Sequence, residues 1–292
     1  MEKTSPVEIF KAQYSNKAAE KCFGISNFSF VILLIVSIML LSFSFVMSRV
    51  QQGLILSSPN LYPGFGGVLQ DMAKQTGDFS VDDGELNVSF NYPRRLESNG
   101  WLVVVTDDAP ALVLDEEKTG AYQPMFILGE SSFVISQPAT NTSLEGAYRF
   151  LGFFSSTEIR KIVNNVNDMV TYTKAFLFAS ATGEIPSSII SMILLMGVQY
   201  VFFIFISGLL LTTSHRSAIK GTEFWQKTKL LPSIKIMTVL GFAPSFLLAL
   251  VSHFNPTMGV TFGWLLFSII TSVRAVYLYV KRMKAKPIIW ST

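Results

Sequence analysis

The chain has 292 residues, of which 50% are hydrophobic and 15% charged, with 25 phenylalanines and a formal net charge of +3. So much apolar side chain exceeds what a soluble domain can hide and fits a chain solvated by a bilayer. A single cysteine, Cys22, excludes an internal disulfide and a zinc cluster and reads as an ordinary buried thiol.

Residues 1–26 open with Ser5-Pro6-Val7-Glu8: a capping serine, a proline at the first helical position and a glutamate placed to close a capping box. Val7, Phe10, Tyr14 and Ala18 follow at helical spacing with lysines elsewhere on the wheel. This predicts a short amphipathic helix lying on the inner membrane surface. Residues 27–48 form the first of four apolar runs. A hydrocarbon core of roughly 30 Å takes about 20 helical residues, and each run supplies that number or nearly so. The first lies too far in and runs too long for a cleaved signal peptide, so it is expected to be an uncleaved signal anchor.

Residues 49–185 are different in kind. They carry nine Lys/Arg against 16 Asp/Glu, a net of −7. The stretch from Ser57 to Gly67 is rich in turn residues, its glycines do not match a phosphate-binding loop, and it reads as a linker. Short β-prone runs follow at 79–81, 85–90, 101–106, 111–114, 125–128 and 133–136, the first two joined by the hairpin signal Asp82-Asp83-Gly84. From Ser155-Ser156-Thr157-Glu158 the period changes. Ile159, Ile162, Val163, Val166, Met169 and Val170 recur at three- and four-residue spacing, which predicts one amphipathic helix packed on the sheet. It leads through Thr182-Gly183-Glu184 to Pro186, in the first turn of the second apolar run.

The remaining runs are 186–213, 234–252 and 257–280, separated by a basic loop at 214–233 and a tight turn at His253-Phe254-Asn255-Pro256, with a basic tail at 281–292. Run 234–252 is the shortest and holds Gly241 and Pro244, so its alternative reading is a buried core helix, and Pro244 should kink it. Ser37, Ser44, Gly197 and Gly208 are read as close-packing positions. Arg274 is a full charge well inside the last run, and snorkelling to the inner headgroups is preferred over a transport role.

Charge gives the orientation. Lys3, Lys11, Lys17 and Lys21 precede the first run; Arg216, Lys220, Lys227 and Lys229 occupy the loop; Lys281, Arg282, Lys284 and Lys286 occupy the tail. Four crossings put all three basic segments on one side, which the positive-inside rule makes the cytoplasm. The acidic 49–185 segment is then outside. The fold expected is an α-helical membrane protein: four transmembrane helices, one N-terminal and three C-terminal, with an α+β extracytoplasmic domain inserted between the first and second. Its location is the plasma membrane, multi-pass, with both termini cytoplasmic.

No catalytic, cofactor-binding or metal-ligating residue is assigned. The sequence has no P-loop, zinc-protease histidine pair, nucleophile elbow or CxxC, and its two histidines, His215 and His253, fall on opposite sides in this topology. The outer acids Asp82-Asp83, Asp107-Asp108 and Asp115-Glu116-Glu117 read as solvated turn residues without EF-hand spacing. Asn87-Val88-Ser89 and Asn141-Thr142-Ser143 match glycosylation sequons, which carry no meaning in a bacterial cell.

The lead-in Phe10-Lys11-Ala12-Gln13-Tyr14-Ser15, the signal anchor, the outer segment and the C-terminal cluster of apolar runs together resemble a bacterial membrane-protein family. That family has no known function, is found chiefly in Firmicutes, and includes members named for maltodextrin utilisation. Phe79-Ser80-Val81-Asp82-Asp83-Gly84-Glu85-Leu86 is similar to its acidic DGEL hairpin, while Thr106-Asp107-Asp108 stands where its members tend to have Asp-Thr. The resemblance implies a bacterial plasma membrane and a link to sugar uptake, and carries no catalytic residue.

The function expected is non-enzymatic: an accessory or sensing component of an envelope or sugar-utilisation system, with an outer ligand- or partner-binding domain. The alternative is a transport component, a permease or its subunit, for which maltodextrin is the implied cargo. An envelope enzyme using the outer carboxylates is third. The partners expected are the bilayer, another membrane protein or further copies of the chain, and a carbohydrate or envelope ligand. The basic clusters are short and lack interleaved aromatics, so nucleic acid is excluded, and no cofactor is expected.

Overall fold

The computed structural model describes residues 6–75, 77–89, 94–106, 123–216 and 229–284. Contacts divide the chain into one unit of Met1–Ser48 with Ser188–Thr292 and a second of Arg49–Ser187.

The first unit is helical. Two short helices, α1 (Pro6–Lys11) and α2 (Asn16–Cys22), precede α3 (Asn27–Leu56). After the second unit come α7 (Ile185–Arg216), α8 (Leu230–Phe254) and α9 (Pro256–Lys284). α3 and α7–α9 contain the four runs long and apolar enough to cross a membrane, and each helix extends a few residues beyond the apolar run read from sequence. α8 is the interior one. Met237, Val239 and Leu240 are fully buried on it, as are Ser233, Thr238, Ser245 and Ser252. The turn between α8 and α9 is a single residue, Asn255, whose side chain caps the Met258 amide.

Small and hydroxylated residues set the helix spacing. A Cβ on Gly208 would stand 2.9 Å from Ile234 Cγ1 and 3.2 Å from its backbone nitrogen, so α7 and α8 touch there along their backbones. Ser44 and Ser252 share a buried 2.6 Å hydrogen bond between α3 and α8. Thr212, Ser233 and Tyr279 join α7, α8 and α9 through hydroxyl contacts of 3.2 and 3.1 Å.

The second unit has a helical layer on a sheet. α4 (Phe65–Gln75) comes first, then the hairpin of β1 (Phe79–Asp82) and β2 (Glu85–Val88). Asp83 and Gly84 take the positive φ angles, 50° and 84°, that a two-residue hairpin turn needs. A five-stranded sheet follows in spatial order β3 (Arg94–Ser98), β4 (Trp101–Val105), β5 (Met125–Leu128), β6 (Ser132–Gln137) and β7 (Thr142–Ala147). All its neighbours are antiparallel except β4 and β5. Both faces of β4 are buried, which explains its unbroken apolar run. Trp101, Val103 and Val105 enter the main core, while Leu102 and Val104 join Met125, Ile127 and Val134 on the other face.

The helix predicted from Ser155 onward is two helices, α5 (Ser156–Ile162) and α6 (Val166–Thr182). Ser155 caps the first through the Glu158 amide. Asn165 caps the second through the amides of Asn167 and Asp168, and this fresh start breaks the expected stripe. The buried face of α6 is accordingly Met169, Thr173, Phe176 and Leu177, with Phe176 seated against Phe126, Phe133 and Phe154. The stretch read as a linker also differs. Phe65, amid its glycines, begins α4 and is buried beneath Trp101, Phe126 and Phe176, a tertiary contact that overrides local turn propensity. β3 and β7 lack a strong apolar alternation and were not predicted. The expected strand at 111–114 lies outside the described residues, as do Asp107, Asp108, Asp115, Glu116 and Glu117.

Candidate functional site

Two features stand out, one in each unit. In the second, a cleft of about 320 Å³ opens between the start of α4 and the start of α6. Tyr62, Gly66 and Gly67 form one wall, and Val166, Val170 and Thr173 the other. Gly66 permits the narrow spacing, since a Cβ there would meet Thr173 Oγ1 at 3.1 Å. The floor is fixed from below by Phe65 and by Trp101, whose Nε1 donates to the Pro63 carbonyl at 3.0 Å.

The cleft is apolar in effect. Thr173 spends its hydroxyl on the Met169 carbonyl at 2.8 Å, and Gln70 donates to the Val163 carbonyl at 3.5 Å. The Tyr62 hydroxyl is buried without a hydrogen-bond partner, and burial pushes its pKa up to about 12. At the rim, Val166 and Val170 are 75% and 49% exposed on a folded helix. Such a cleft accepts an apolar or aromatic group and offers a sugar's hydroxyls few partners.

In the first unit, the N-terminal segment is two short helices rather than the single helix expected, and of its predicted stripe Val7, Phe10 and Tyr14 are exposed. It folds back as the pair α1 and α2, on which Ala12, Ala19 and Cys22 are fully covered and Ile9 is buried beside them. Three polar side chains hold it. Arg274 Nε and Nη2 both donate to the Ala12 carbonyl, at 3.1 and 2.6 Å, and Nη1 donates to Asn16 Oδ1 at 2.8 Å. Lys235 Nζ donates to the Ile25 carbonyl at 2.8 Å. Gln13 Nε2 donates to the Leu240 carbonyl. Arg274 therefore does not snorkel to solvent. It is 9% exposed, like Lys235, and both cations are satisfied by the chain's own N-terminal segment.

Among the described residues, those singled out in the sequence do not assemble. Asp82 and Asp83 are exposed in the β1–β2 turn. His253 stacks on Phe43 at the end of α8. No group of three or more His, Cys, Asp or Glu side chains gathers among the described residues. Sequence reasoning missed Gln13 and Tyr62. Only Pro244 signalled the Gln13 contact, because a proline in a helix frees a carbonyl one turn earlier, and its partner stands 227 residues away. Comparisons with protein-family models, curated proteins and solved structures find no match to this chain, and so lend no support to the family resemblance.

Proposed function

We propose that this chain is a multi-pass plasma-membrane protein whose acidic α+β domain faces outward and binds an apolar group in the α4–α6 cleft, as a non-enzymatic accessory or sensing component of the envelope. The cleft carries the reading: a concave, largely apolar site whose few polar side chains are already engaged or buried. Support for the orientation comes from the four apolar helices together with the three basic segments, which an even number of crossings puts on one side. The cleft chemistry favours the apolar side chains of a partner, or a small apolar ligand, over a maltodextrin. Transport is the weaker reading. α3, α7, α8 and α9 carry no Asp or Glu, the usual carriers in a proton-coupled pathway.

A photo-crosslinking amino acid in place of Val166, in living cells, separates the two sources of the apolar group. A protein partner gives a discrete heavier adduct that Val170→Asp abolishes. A small ligand gives no protein adduct but an added mass on the chain, again lost in Val170→Asp. Neither product, or a product indifferent to Val170→Asp, overturns the cleft as the binding site.

A further inference from the structure

The N-terminal segment packs against the middle of α8 rather than its end. Phe10 lies edge-on to Phe242 and Phe246, with ring centroids 5.2 and 5.9 Å away. Those two rings stand 13 and 9 residues before the Asn255 turn, which at a rise of about 1.5 Å per residue is about 20 and 14 Å along the helix. Lys235 stands 20 residues before that turn and Arg274 19 residues after it, so the two cations share one level, about 30 Å from the turn. On the membrane reading proposed above, on which this inference rests, a hydrocarbon core of roughly 30 Å puts both cations at its inner boundary and the two rings that Phe10 touches inside it. The chain passes the inner level at Ile25, held by Lys235, and passes it again at Ala12 and Asn16, held by Arg274.

The surface that receives the segment is built for it. Pro244 has no N–H to give, so the Leu240 carbonyl loses its partner within α8. Inside a bilayer an unpaired carbonyl is tolerated only where protein re-satisfies it, and the Gln13 side-chain amide does so. Arg274 has no carboxylate partner among the described residues; two of its three bonds go to one carbonyl of the segment. The acid of α1, Glu8, carries its own counter-charge in Lys21 at 2.9 Å. Removing the segment would leave a carbonyl and a guanidinium uncovered at once, which couples its docking to the folding of α8 and α9.

We infer that residues 6–22 fold back as a strap whose first helix, α1, re-enters the bilayer from the inner side, seated in the proline notch of α8 through Gln13 and latched at the inner boundary by Arg274. It is a strap across the inner half of the helical unit, in place of a helix afloat on the membrane surface.

Because Cys22 is the only cysteine, a Cys22→Ala background allows single thiols to report position. Val7→Cys reports α1 at a side chain that is 59% exposed in the protein and therefore facing lipid in the strap. Lys11→Cys, on the same helix and exposed, serves if Val7→Cys does not accumulate. Lys229→Cys and Asn60→Cys mark the inner and outer sides. Membrane-impermeant maleimide is applied to inside-out and right-side-out vesicles of the full chain. The expected result is that Lys229→Cys labels only in inside-out vesicles and Asn60→Cys only in right-side-out ones. Val7→Cys should label about ten-fold or more slowly than Lys229→Cys, because a thiol in lipid neither ionises nor meets the reagent. Adding Gln13→Leu with Arg274→Leu should then bring its rate up to that of Lys229→Cys. Equal labelling of Val7→Cys and Lys229→Cys in the parent background overturns the strap while leaving the topology standing. Labelling of Lys229→Cys and Asn60→Cys from the same side overturns the membrane reading itself, and the strap with it.

Discussion

Gln13 donates its side-chain amide to the Leu240 carbonyl, the acceptor that Pro244 leaves without a partner inside its own helix. The contact makes a two-way prediction. Gln13→Leu should destabilise the protein by about 1–3 kcal/mol, the cost of a buried carbonyl left unpaired. In a Pro244→Ala background, where residue 244 regains its N–H, the same substitution should cost much less. Thermal unfolding in mild detergent, run as a four-member cycle, checks this. Equal costs in the two backgrounds would show that the proline and the glutamine are unrelated.

Arg274→Ala removes three hydrogen bonds at once and should release α1 and α2 while leaving the second unit folded. Limited trypsin digestion in detergent is the direct assay, since Lys11, Lys17 and Lys21 lie on the released segment and are exposed side chains on helices in the intact protein. Cleavage there should be faster by about ten-fold, as local opening becomes cheap. Arg274→Lys should rescue only in part, because an ammonium cannot span Ala12 and Asn16 as the planar guanidinium does.

How much of this was legible in advance depends on the range of the contact. The four apolar helices, the Asp83-Gly84 turn and the strand at 125–128 follow from local pattern, and the structure has each of them. α4 was hidden because glycines 64, 66 and 67 advertise a turn, whereas burial of Phe65 beneath Trp101 and Phe176 makes a helix of it. The break between α5 and α6 was visible in principle, as Asn164-Asn165 interrupts the apolar stripe with a capping residue. The cleft was not visible, since its walls are about 100 residues apart in sequence. The docking of residues 6–22 on α8 is not legible in the sequence, because the lysines of that segment give it the signature of a surface helix. Apart from Ile9, its buried face is made of alanines and a cysteine, which contribute little to any amphipathic pattern.

Tyr62 offers a test of the cleft floor without reference to any ligand. Its hydroxyl is buried and unpartnered, so Tyr62→Phe should leave stability unchanged or raise it by up to about 1 kcal/mol. The pH dependence follows from the raised pKa. An ordinary phenol ionises near 10.0, and here burial holds the proton until about 12. The folded state therefore favours the neutral form, and this contribution is complete below pH 10.0 and is lost as pH rises through about 12. Phenolate absorbance should show one late-titrating tyrosine fewer in Tyr62→Phe, and stability between these pH values should fall less steeply than in the parent.

Arg160 ties the end of α4 to the strand that follows. Its Nε donates to the Ala73 carbonyl at 2.7 Å and Nη2 to the Gly77 carbonyl at 3.0 Å, beside an exposed ion pair with Asp78. The carbonyl contacts should dominate, because an exposed ion pair adds little. Arg160→Met should cost about 1–2 kcal/mol, and Asp78→Asn much less than that. Denaturant unfolding of the two variants ranks them, and a larger loss in Asp78→Asn would reverse the assignment.

On the proposed topology the acidic α+β domain faces outward while the basic segments face inward. The most direct measurement is proteolysis of right-side-out spheroplasts carrying the full chain with an epitope tag at each end. The prediction is that added protease removes the segment 49–185, while both tags stay intact until the membrane is broken. Loss of either tag in intact spheroplasts, with the acidic segment protected, would contradict it.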